Sequence, residues 1–149
     1  MKKTYITLLA TALFFFVSTE AFSQEDYGNS LNAFVTFGGN PTIGGHYEIQ
    51  VIESLTVAPE FRYFFNSDGD GYTAIGARAN YYFDTIFKLK EPWDVWFGAN
   101  VGWYINYSDT FALSIHGGVE YKFNETIGLI AEFGGGRSFA GGLGVAFHL

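Results

Sequence analysis

The sequence predicts an all-β chain, folded as an eight-stranded antiparallel up-and-down transmembrane β-barrel. Three observations predict it. The composition is rich in Gly (19 residues) and aromatics (20%) and poor in charge (15%), which disfavours helix and suits strands. From residue 31 onward the apolar residues recur with period two, in segments longer than the five or six residues of an ordinary strand. Every strand charge and every His falls on one face of that alternation. The remaining composition narrows the function. A length of 149 residues favours a single domain. The absence of Cys excludes a disulfide framework, a thiolate metal site and a Cys nucleophile. A net charge of −7 argues against nucleic acid as a partner.

The N-terminus reads as an address. Lys2 and Lys3 form a basic start, and Ile6 to Val17 is an apolar run broken only by two Thr. That run is shorter than the roughly 20 residues of a spanning helix and suits the core of a signal peptide. Ala21-Phe22-Ser23 is a small-x-small cleavage site, so residues 1–23 are expected to be removed. Residues 24–30 are polar and are read as a flexible lead to a barrel over 31–149.

The strands follow in order. Turn residues at Asn40-Pro41, Glu53-Ser54, Ser67 to Asp70, Glu91-Pro92, Tyr107 to Asp109, Asn124-Glu125 and Arg137-Ser138 divide the chain. They leave strands over 31–39, 43–52, 55–65, 71–83, 93–106, 110–123, 127–136 and 139–149. Most have the roughly 9–11 residues that a tilted strand needs to cross a bilayer. The odd-numbered face runs from Leu31, Ala33, Val35 and Phe37 to the last strand and carries no charge. The even-numbered face holds His46, Glu48, Glu60, Arg62, Arg78, Asp94, His116, Glu120, Lys122, Glu132 and His148. A soluble barrel would turn the apolar face inward, but a small eight-stranded barrel has no room for so many large side chains. The inverted arrangement meets the volume limit, with apolar residues toward lipid and charges in the lumen. In hydrocarbon a sheet must close to pair its backbone groups. The aromatics support this reading. Tyr63, Phe65, Trp103 and Phe111 fall near one rim, and Tyr81, Phe83, Tyr121 and Phe123 near the other, as two interfacial girdles require.

The signal peptide, the hairpin from Gly118 to Phe133 and the final strand Gly142 to Leu149 carry a resemblance. The chain resembles the small outer-membrane β-barrel superfamily, which includes porin-like and OmpX/OmpA-type eight-stranded barrels, over residues 27–149. The resemblance implies a place in the outer membrane of a Gram-negative bacterium, with outer-membrane lipid as surroundings. It also implies that Leu143, Val145, Phe147 and Leu149 form the C-terminal signal read by the barrel-assembly machinery. Leu149 stands where such proteins carry a terminal aromatic.

Hairpin geometry suggests the lumenal neighbours. Arg78 is expected opposite Glu60 or one step diagonal to it, with Arg62 close by. His46 is expected to face Glu60 with Glu48 near, and Asp94 to face Lys122. Unpaired charges in a lumen with little water cost several kcal/mol, so His46, Glu48, Glu60, Arg62, Arg78, Asp94, Glu120, Lys122 and Glu132 are read as a charge network that fills the barrel. The alternative is a narrow porin-like path for ions or small solutes.

Other chemistry is read as absent, and neither catalytic nor metal-binding residues nor a cofactor are assigned. Ser114, His116 and Glu132 share the inner face as a Ser-His-acid set would, but they sit near mid-membrane, away from any lipid substrate. The three His come from strands at different heights. Asn66 to Gly71 resembles the start of a Ca²⁺ loop, but its twelfth position is Ala77 rather than Glu. The Gly134 to Gly136 run precedes no helix and is no phosphate cradle. The connection from Asp84 to Pro92, with Lys88, Lys90 and Ile86-Phe87, is read as a periplasmic loop, with an unidentified surface or periplasmic partner as the alternative. The expected role is structural, in surface integrity or interaction, without catalysis.

Overall fold

A computed structural model of the chain describes residues 28–37, 40–66, 71–105, 111–136 and 141–149. The signal-peptide reading of 1–23 and most of the expected lead lie outside the described residues. So do Ser67 to Asp70 of the Ca²⁺-like loop and residues 38–39, 106–110 and 137–140.

Eight strands form one closed antiparallel barrel in sequence order. They are β1 (Asn29–Thr36), β2 (Thr42–Ile52), β3 (Leu55–Phe64), β4 (Tyr72–Tyr82), β5 (Trp93–Ile105), β6 (Phe111–Lys122), β7 (Ile127–Gly136) and β8 (Gly141–His148). Closure comes from β1 pairing with β8, with Ala33 opposite Val145. One boundary needs correction. Asn29 and Ser30, expected in the lead, belong to β1, where Ser30 is buried. Ser30 was hidden by its polarity, because polar residues are what the inner face of this wall carries, and Asn29 is the exposed first residue of the strand, where no apolar residue marks the outer face.

The alternation has a physical cause. Successive side chains of a strand point to opposite faces, and β1 and β5 change between exposed and buried at nearly every residue. Leu31, Phe61, Ile75, Phe97, Trp103 and Ile115 stand on the exposed outer wall. Asn32, Glu60, Arg62, Arg78, Asn100 and His116 are buried inside. The usual rule for a soluble domain is therefore inverted: the buried layer is polar and the exposed layer apolar.

Two apolar layers interrupt the polar interior. At the end away from the chain termini, Phe64, Ala74, Tyr104 and Ala112 pack together with Tyr72 against them. Phe64 and Tyr72 stack at 4.6 Å, and Tyr104 meets Tyr72 edge-on at 5.4 Å. Toward the terminal end, Tyr82, Trp96, Ile130 and Ala146 form a second layer. Inner-face glycines make room for these bulky groups. A Cβ at Gly118 would overlap the Trp96 ring, and one at Gly44 would overlap the Phe34 ring. Gly136 also takes a positive φ of 134° where β7 ends, a conformation that favours glycine.

One seam differs from the rest. The β2–β3 register runs from Thr42 opposite Phe64 to His46 opposite Glu60, then resumes only at Ile49 opposite Val57. Pro59 lies in the gap, mid-strand on the outer wall and opposite Tyr47. It has no N–H, so it cannot donate the ladder bond that the Tyr47 carbonyl would accept. A second irregularity follows between Gln50 and Ile52 in the same seam.

The β4–β5 connection holds a short helix, α1 (Asp84–Phe87), where a plain loop was expected. The Asp84 carboxylate accepts the Val95 backbone N–H at 2.7 Å, and this fixes the helix to β5.

Candidate functional site

The candidate site is the polar middle of the lumen, between the two apolar layers. β2 contributes His46 and Glu48, β3 contributes Thr56, Glu60 and Arg62, and β4 contributes Arg78 and Asn80. Asn100 comes from β5, His116 from β6 and Glu132 from β7. All of these side chains are buried.

Arg78 is the hub. Its guanidinium donates to the Glu132 carboxylate across the lumen and lies 3.6 Å from Glu60. It also approaches Nδ1 of His46 at 3.3 Å and Oδ1 of Asn80 at 3.4 Å. Arg62 donates from Nη2 to the Glu60 carboxylate at 2.8 Å, and its Nε lies 2.7 Å from the same carboxylate as an ion-pair contact. A hydrogen bond between ionised partners is stronger than one between neutral groups. Above it, the Arg62 guanidinium lies 5.2 Å from the centre of the Phe34 ring.

Three carboxylates, Glu48, Glu60 and Glu132, share two guanidiniums here, so neutral donors take the remaining lone pairs. Glu48 accepts from the Thr56 hydroxyl, from Asn80 at 2.6 Å and from the Tyr82 hydroxyl at 3.1 Å. Asn32 adds a contact at 3.3 Å, and Nε2 of His46 lies 3.7 Å away. Glu132 also accepts from the Trp96 indole at 3.3 Å, and Glu60 from Asn100 at 3.1 Å. Near the terminal end two separate pairs form. Lys122 meets Asp94 at 2.7 Å, and His148 meets Glu120 at 2.6 Å.

The expected neighbours divide. Arg78 stands opposite Ala58, one step diagonal to Glu60, whose partner is Gly76. His46 stands directly opposite Glu60. Asp94 does not face Lys122; its partner is Glu120, and Lys122 reaches Asp94 from a diagonal position. The register of a hairpin follows from its turn, and a two-residue slip leaves every side chain on its face, so the alternation could not reveal it. Ser114, His116 and Glu132 share the inner face, but His116 Nε2 lies 2.7 Å from Asn80 Oδ1 while Glu132 is engaged by Arg78 and Trp96. Among the described residues no three His, Asp or Glu side chains gather as metal ligands.

Sequence reasoning missed the neutral part of the site: Asn32, Thr56, Asn80, Tyr82, Trp96 and Asn100. All are even-numbered. The face rule that located the charges would have located them as well.

On the outer wall, aromatic pairs stand at both rims. Tyr63 and Phe65 lie 5.0 Å apart and Trp103 and Phe111 5.5 Å apart at one end. Tyr81 and Phe83 at 5.1 Å, Tyr121 and Phe123 at 5.3 Å, and Trp93 and Tyr121 at 4.9 Å stand at the other. Leu143 and Phe147 are exposed on the outside of β8, with Val145 between them on the same face. Leu149 follows the strand, and its N–H donates to the Asn29 carbonyl at 2.9 Å.

A closed eight-stranded antiparallel barrel with an apolar exterior and an ionised interior is the architecture of a transmembrane β-barrel. Solved structures share it. The N-terminal β-barrel domain of Pseudomonas aeruginosa OprF is 18% identical, with 80% of this chain and 95% of that chain covered and a TM-score of 0.61. Neisserial surface protein A is 19% identical over 81% of this chain and 94% of its own, with a TM-score of 0.52. A barrel from the de novo design of transmembrane β-barrels is 12% identical, covers 85% and 98%, and has a TM-score of 0.63. At these identities the likeness establishes the fold. No protein-family model and no curated protein matches the chain.

Proposed function

We propose that this chain is an integral outer-membrane β-barrel of a Gram-negative bacterium, exported on the segment 1–23, with a structural role in surface integrity or interaction. It performs no catalysis, and its lumen is closed by its own side chains. On this reading β8, with Leu143, Val145, Phe147 and Leu149, is the segment that the barrel-assembly machinery engages.

The observation that carries the reading is the bond between Arg78 and Glu132 across the lumen, embedded in contacts to Glu60, Asn80 and Trp96. Side chains tied across the bore, with an aromatic layer on each side, support a closed lumen. The test is planar-bilayer conductance of purified protein whose folded state is checked by heat-modifiable gel migration. No steady open current is expected from the folded species. A robust current from it would favour the narrow channel and overturn the closed lumen.

A further inference from the structure

The lumen does not account for the β4–β5 connection. Two of its apolar side chains stand outward: Ile86 is 60% exposed and Phe87 62%. Lys88 and Lys90 follow, both exposed. The segment is nonetheless built rather than slack. Asp84 is buried and accepts the Val95 N–H. Phe87 N–H donates to the Phe83 carbonyl at 2.9 Å, and Leu89 N–H to the Asp84 carbonyl at 3.0 Å. The Phe87 ring lies 5.9 Å from Phe83, which itself meets Tyr81. The exposed apolar pair therefore continues the aromatic rim of Tyr81, Phe83, Trp93, Tyr121 and Phe123.

We infer that α1 and Lys88 to Lys90 form an interfacial foot that binds anionic glycerophospholipid in the leaflet at the end holding the chain termini. Ile86 and Phe87 enter the boundary between headgroups and acyl chains, while the two ammonium groups meet lipid phosphates. This rests on the reading of the barrel as membrane-spanning. Two features of the segment choose lipid as the occupant. The apolar pair is continuous with the rim that faces the bilayer, and cations next to apolar side chains are what an anionic interface selects. Glu91, also exposed, follows Lys90 and points the charge preference to the Lys88 side of the segment.

The chain has no Cys, so single-Cys spin labels can report depth directly. Ile86→Cys, Phe87→Cys and Ala99→Cys are labelled in protein reconstituted into phosphatidylcholine vesicles, with or without phosphatidylglycerol. Accessibility to oxygen is compared with accessibility to a water-soluble nickel chelate. Labels at 86 and 87 are expected to favour oxygen, and Lys88→Gln with Lys90→Gln is expected to move them toward the nickel reagent in the anionic vesicles only. The inference is overturned if labels at 86 and 87 lie in water while the label at 99 lies in lipid. It is also overturned if they are shielded from both reagents, as a protein partner or second copy would shield them, or if neutralising the lysines changes nothing. A label at 99 that lies in water would instead remove the membrane-spanning reading itself. Folding of each variant is checked by heat-modifiable migration, and Phe87→Ser, read by a label at 86, replaces the Cys at 87 if that variant does not fold.

Discussion

Arg78 on β4 and Glu132 on β7 bond across the lumen, joining strands that share no ladder. The pair is fully enclosed, and Arg78 has a second carboxylate, Glu60, within 3.6 Å. Removing one partner of such a pair leaves a buried charge unmatched, which typically costs about 3–5 kcal/mol. Arg78→Met should therefore lower unfolding stability by an amount of that order, measured by urea titration of tryptophan fluorescence in lipid vesicles. Adding Glu132→Met should recover part of the loss. A single variant within about 1 kcal/mol of the parent would show that the network contributes little to holding the barrel.

The orientation of the wall gives a second test. Ala99 is exposed and sits at the middle of β5, beside the buried Asn100. Ala99→Arg should destabilise the membrane-embedded barrel by about 2–4 kcal/mol, whereas Phe123→Arg near the rim should cost about 0–1 kcal/mol for the charge. Equal effects at both positions would argue against hydrocarbon around the outer face.

Gly118 accommodates the Trp96 indole, whose N–H donates to Glu132. Gly118→Leu should cost about 1–3 kcal/mol through overpacking. Trp96→Ala in the same chain should relieve much of that penalty, so the two changes together should cost less than their sum. Additive losses, read from the same denaturant titrations, would mean that the two side chains do not compete for space.

The Pro59 gap can be filled. Pro59→Ala restores a donor opposite Tyr47, and a typical backbone hydrogen bond contributes about 0.5–1.5 kcal/mol. Amide exchange of β2 and β3 should be faster than that of β4 to β6 in the parent and should slow on substitution. Unchanged exchange in that seam would show that the Tyr47 carbonyl is already satisfied.

Most of the architecture was legible because one simple rule, the alternation of faces, extends over the whole wall. It located Glu60, Arg62, Arg78 and Glu132 inside, and it located Phe97 and Trp103 outside. Where the rule carries no information, the reading stopped short. Ser30 looks like part of a polar tail because the inner face of a membrane wall is itself polar, and the exposed Asn29 before it carries no apolar signal. The Asp94–Lys122 relation was off by two residues because faces are blind to even shifts. Asn80 and Tyr82, which complete the coordination of Glu48, were passed over because only ionised groups were followed along the inner face. The bond between Arg78 and Glu132 was out of reach of hairpin reasoning, since β4 and β7 meet only through the bore.

The Pro59 seam also bears on how the cylinder comes apart. A ring gives way at its weakest joint, and among the described residues the β2–β3 ladder is the one with both a missing bond and a shifted register. Loss of closure there would yield an open sheet with β2 and β3 as its free margins, while β1 and β8 stay zipped together. The first and last strands of the chain would then lie in the interior of the ruptured sheet, so the breaking point is set by a single imino acid rather than by the order in which the polypeptide was made.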